Sequence, residues 1–171
     1  MTKPAAIEMP QPLGNFAHEL FERAAEYLEA FAILADDARP KRYYASYFLL
    51  VHALELFLKS YLAAKGEPKV TIRRLGHELK DIFTLCEKLG IPAAAELKSF
   101  TLHMQEMNRD HDFRYPSGYN LNVPRPTECI RTVDALREAI FPIVNSAALI
   151  AQLNFAADTH HLKGKKIVWS D

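Results

Sequence analysis

One segment governs what this chain can become. Between Ala45 and Leu62 it reads ASYFLLVHALELFLKSYL, apolar on almost every side of a helix. Such a helix has no face to give to water, so other elements must surround it. Pro40 suits its first position, where a missing N–H costs nothing, and Gly66 suits a left-handed cap after Lys65. The expected architecture is all-α, with residues 40–65 as the central rod of a four- to five-helix up-and-down bundle.

The polar interruptions of this rod are not scattered. His52, Glu55 and Lys59 stand at i, i+3 and i+7 and share one stripe. Unpaired burial of such groups is expensive, so the stripe must meet water, a partner or its own members. Glu55 precedes Lys59 in the favourable i,i+4 order. An internal network, part of a pocket and a homodimer seam all fit this pattern.

Helical periodicity continues on both sides, and strand signals are almost missing. Asn15 is the expected cap of a first helix reaching Asp36, with Phe21, Ala24, Leu28 and Phe31 among its inward residues. EPKVTIRR is expected as a connection to a third helix over residues 76–89. Pro92 opens a fourth helix, which frays near Asp110. Pro116, Gly118, Pro124 and Pro126 forbid its continuation. A fifth begins near Pro126 and runs to about Phe155, bent or split at Pro142, with Val133, Leu136, Ile140, Ile143, Ala147 and Ile150 inward. The chain thus divides into a flexible leader (1–14), a single helical-bundle domain (15–156) and a basic C-terminal tail (157–171).

Composition enters by exclusion. Hydrophobic residues make up 49% and charged residues 25%, with a formal net charge of zero. That is neither a disordered chain nor a polyelectrolyte partner for nucleic acid. Cys86 and Cys129 cannot form a disulfide framework, and Cys86 on an apolar stripe reads as a buried thiol. MTKPAAIEMPQPL lacks the apolar core of a signal peptide, and no uncharged apolar run reaches the length of about eighteen residues that suggests a membrane span. A soluble, cytoplasmic protein without a membrane partner is expected.

Seven histidines raise the question of metal. Yet no H-x-x-x-H pair or E-x-x-H ladder occurs, and His52 with Glu55 supplies too few ligands to define a site. Neither a metal nor a cofactor is expected. The polar stretch MNRDHDFRYPSGYN concentrates Arg109, His111, Arg114 and Tyr115. An arginine gripping a phosphate beside a histidine moving a proton would suit a ribonuclease. A ligand-contacting loop or a hydrated connection between helices accounts for the same residues. His77, at the expected start of the third helix, reads as a neutral histidine bonded to a neighbour, because the macrodipole there disfavours imidazolium.

YYASYFLLVHALELFLKSYLAAKG, then LGHELKDIFTLCEKLG, then RYPSG before a last long helix resemble the HEPN superfamily of small α-helical bundles, over about residues 39–150. The resemblance implies an up-and-down bundle of four or five helices, commonly dimeric, in toxin–antitoxin or defence settings. Many members cut RNA; others bind nucleotides, RNA or protein, including a nucleotidyltransferase-type partner. Catalytic members carry an arginine followed four to six residues later by a histidine near the start of the last long helix. Here that helix has Arg125, Arg131 and Arg137 but no histidine between residues 112 and 159, and Arg109 stands two residues before His111. The expectation is a non-catalytic, homodimeric domain that contacts a nucleotide, RNA or protein partner through His52, Glu55, Lys59, His77, Arg114 and Tyr115. A metal-independent ribonuclease using Arg109 and His111, and a purely structural homodimerisation module, are the alternatives.

Overall fold

The structure, a computed structural model, describes residues 6–36, 42–92, 95–110, 112–115 and 122–170. His111 and Pro40 lie outside the described residues. A helical bundle is built around α2 (Tyr43–Ala64). Leu50, Leu54, Phe57, Leu58, Tyr61 and Leu62 are buried on all its sides, as an all-round apolar rod requires. α2 packs against α1 (Leu13–Asp36), α6 (Pro126–Thr159) and α4 (Leu79–Lys88), while α5 (Ala95–Met107) lies on α4 and α6. Edge-on aromatic pairs tie α1 to α2: Phe21 with Phe57 at 5.2 Å and Phe31 with Tyr47 at 5.5 Å between ring centres. Gly66, at φ +95°, closes α2, and the Glu67 N–H donates back to the Leu62 carbonyl at 3.0 Å.

Several expectations need correction. Six α-helices are present among the described residues, because the expected connection EPKVTIRR contains a short helix, α3 (Lys69–Arg74). Its sole buried residue is Ile72, too little periodicity to show in the sequence. The expected third helix begins at Leu79 rather than residue 76, so His77 stands in a corner before it. α1 begins two residues before Asn15, with the Pro12 carbonyl accepting from the Phe16 N–H at 3.1 Å. The Asn15 Oδ1 is buried without a hydrogen-bond partner among the described residues. It is not a cap.

α6 runs unbroken through Pro142. Pro142 is exposed, so the carbonyl deprived of its N–H partner faces the water side, where a break is not needed. The inward stripe of α6 is Cys129, Val133, Leu136, Ile140, Val144 and Ala148. Ile143 and Ala147 are half-buried and Ile150 is exposed. The expected stripe kept a period near 3.5, whereas a straight helix turns every 3.6 residues and its seam drifts. Gly14 meets α6 closely: a Cβ there would lie 2.2 Å from the Ala147 carbonyl oxygen.

Strands, which the sequence did not suggest, occur near both ends. β1 (Ile7–Pro10) pairs in parallel with β2 (Ile167–Ser170), Ile7 opposite Ile167. Trp169 packs edge-on against Phe155 of α6 at 4.9 Å.

Candidate functional site

Glu55 and Lys59 project from the middle of α2 and are almost wholly buried, 3% and 9% exposed. The Lys59 Nζ donates to Glu55 Oε1 at 2.7 Å and to the Gly76 carbonyl at 2.5 Å. Gly76 holds a left-handed φ of +57° in the corner between α3 and α4, a conformation that suits glycine. The next residue, His77, turns its Nδ1 to both oxygens of Glu55, at 3.1 and 3.0 Å. One buried carboxylate thus serves a lysine from its own helix and a histidine from the corner. Facing a carboxylate, Nδ1 carries the proton. The Nε2 side of His77 is presented outward, its side chain half-exposed, and no described residue bonds to it.

His52 lies beside this pair, its ring centre 6.2 Å from that of His77. It stacks on Phe48 at 5.5 Å and meets Tyr27 edge-on at 5.3 Å. Half-burial pushes its pKa below the ordinary 6.5; Glu55 opposes the shift, while His77, Arg114 and Lys59 add to it. His52 is held neutral. The Arg114 guanidinium sits 5.1 Å from the centre of the Phe48 ring. The segment carrying Arg114 is anchored by Phe113, buried and stacked on Tyr47 at 5.9 Å. The Tyr47 hydroxyl donates to the Pro124 carbonyl at 2.6 Å, which fixes the approach to α6.

Five expected contacts therefore meet in one place: His52, Glu55, Lys59, His77 and Arg114. Tyr115 follows directly but is largely exposed and lays no ring on the bundle; Phe113 does that instead. Arg109 borders a small cleft shared with His77, Glu78, Gln105 and Asn108, and its guanidinium lies 3.6 Å from Glu106 on the surface. The homodimer-seam reading of the polar stripe has no footing at Glu55 and Lys59, whose charges close on each other inside the chain. Phe48 was missed in the sequence, being one apolar residue among many. The Gly76 carbonyl was missed because backbone groups leave no signal. No group of three potential metal ligands occurs among the described residues.

A model of the HEPN domain matches residues 17–142, most of the chain. The chain belongs to the HEPN family. The match spans the whole cluster, from α1 through α2 and the His77 corner into the first half of α6. No curated protein and no solved structure matches it. The HEPN assignment therefore supplies the family, and the chemistry rests on the geometry above.

Proposed function

We propose that this HEPN domain binds a phosphate-bearing ligand, a nucleotide or an RNA segment, on the face formed by Arg114, Phe48, His52 and His77. The observation that carries this reading is the row itself: a guanidinium, a phenyl ring and two imidazoles in succession, backed by a buried ion pair. Flat rings offer a base its stacking surface, and the guanidinium offers phosphate oxygens a forked donor. Glu55 and Lys59 act as the frame, since their charges already satisfy each other and the corner. Arg109 and Tyr115 stand at the rim. A nucleotidyltransferase-type protein partner and a toxin–antitoxin or defence setting are consistent with such a module.

Titration of nucleotides and short RNAs against wild type, Arg114→Ala and His77→Ala tests the reading. Saturable binding weakened roughly tenfold or more by either change is expected, in keeping with loss of a charge-assisted contact. Equal, non-saturating traces for all three proteins reject it.

One observation favours a second reading, metal-independent RNA cleavage. A carboxylate holding Nδ1 and leaving Nε2 outward is the arrangement of a general base. In that reading His77, oriented by Glu55, moves the proton, in place of the pair Arg109 and His111. Incubation with mixed RNAs in EDTA separates the candidates: cleavage lost in His77→Ala but kept in His111→Ala assigns the role to His77, and the reverse assigns it to His111.

A further inference from the structure

The second half of α6 carries no charge from Ala139 to Ala157, yet one side of it faces water. Leu149, Ile150 and Leu153 are 51%, 57% and 71% exposed, opposite the buried stripe through Val144 and Ala148. Pro142, Ser146, Leu149, Leu153 and Ala156, all exposed, follow the alternating four- and three-residue spacing of a helix–helix seam. Apolar grooves flank this ridge. One, of about 380 Å³, is lined by Phe21, Ala25 and Phe141 on the α1 side. The other, about 560 Å³, is lined by Leu13, Ala63, Ile150 and Phe155 near β1. Exposed apolar surface this continuous exceeds what a lone soluble chain ordinarily shows.

The order of residues along the ridge indicates what covers it. Read in either direction from Ala151, it presents a leucine and then a small residue: Leu153 and Ala156 one way, Leu149 and Ser146 the other. Two such ridges laid antiparallel would set Leu149 of each copy on Leu153 of the other, and Ser146 on Ala156. The uncharged stretch leaves no ion to desolvate in the seam. Beyond it, Glu138 of each copy is brought toward the basic segment Lys163, Lys165 and Lys166 of the other. We propose that the second half of α6 is the face on which a second copy of this chain docks, antiparallel and two-fold symmetric about Ala151. The ridge enters the partner's flanking groove, as ridges-into-grooves packing requires. A lipid surface is the other occupant to test, because α6 with its following turn is long and apolar enough to cross a membrane by length and composition alone. Its polar Asn145, Ser146 and Gln152, with no Lys or Arg along the ridge, suit a protein seam better than an interfacial helix.

Light scattering over a wide concentration range tests the proposal, with Leu153→Glu as the variant and Ile33→Glu as the control, since Ile33 is equally exposed but lies on α1. Wild type and Ile33→Glu should show twice the 19.4 kDa chain mass. Leu153→Glu should dissociate at concentrations roughly a hundredfold higher, with an unchanged circular dichroism spectrum. For the register, Ser146→Cys and Ala156→Cys proteins are oxidised separately and mixed. A disulfide only in the mixture supports the antiparallel seam, because like positions then lie about 15 Å apart along the axis. The proposal is overturned by a wild-type monomer at every concentration, by a dimer indifferent to Leu153→Glu, or by disulfides within either single variant alone. It is overturned in favour of lipid if monomeric wild type sediments with phosphatidylcholine vesicles and Leu153→Glu does not.

Discussion

Glu55 and Lys59 sit inside the bundle, whereas Leu149 and Leu153 sit on its outside, in a helix almost as apolar as α2. The middle of α2 spends its few charges where water cannot reach, and each finds a partner within 3.1 Å. The second half of α6 has no charge and leaves leucines in solvent. Composition alone places neither correctly. Burial follows how many neighbours surround an element: α2 is enclosed, while α6 lends one side to the bundle and keeps the other. Polarity at each place then reports function, a fixed frame for a site in α2 and an unfilled contact in α6.

The sharpest way to break this contrast is to unbalance the buried pair. Lys59→Ala should cost about 3–5 kcal/mol, because Glu55 and the Gly76 carbonyl lose a buried cation, as read from urea unfolding. The paired change Glu55→Gln with Lys59→Met should cost clearly less than the two single changes added together; an additive double mutant would mean the pair is not coupled. On α6 the buried side should be as unforgiving as the core. Gly14→Ala drives a methyl against the Ala147 carbonyl and should lose about 1–3 kcal/mol in thermal unfolding.

His52 gives a smaller, pH-dependent effect. Its folded pKa lies below 6.5, so the unfolded chain takes up the proton first as pH falls. Its stabilising share is full above about pH 6.5 and is lost as pH falls toward the folded value, then levels off. His52→Phe, which keeps a ring between Phe48 and Tyr27, should flatten that part of the stability–pH curve; an unchanged slope would assign it elsewhere. The smallest effect belongs to the exposed ridge. Leu153→Glu should change the stability of the folded chain by less than about 0.5 kcal/mol in denaturant titrations at dilutions where copies are apart.

Much of the frame was legible. An all-round apolar run announces a central helix without any knowledge of its neighbours, and the Glu55–Lys59 spacing is local. His77 meeting Glu55 joins residues of different elements, and nothing near either one encodes the encounter. α3 and the strand pair are too short for a period to show. The drift of the α6 seam, which left Ile150 outside and brought Val144 and Ala148 in, depends on where α1 crosses it. Arg114 was legible as a cation in a polar stretch, but its Phe48 platform could not be told from the surrounding apolar residues.

The pairing of β1 with β2 joins segments at nearly opposite ends of the described chain. Closing so long a loop carries a large entropic penalty until the helices between have already drawn the segments together. The ribbon is therefore expected to assemble last and to come apart first, its amides exchanging with deuterium well before those of α2. A clasp of this kind records the completion of the bundle and contributes little to starting it.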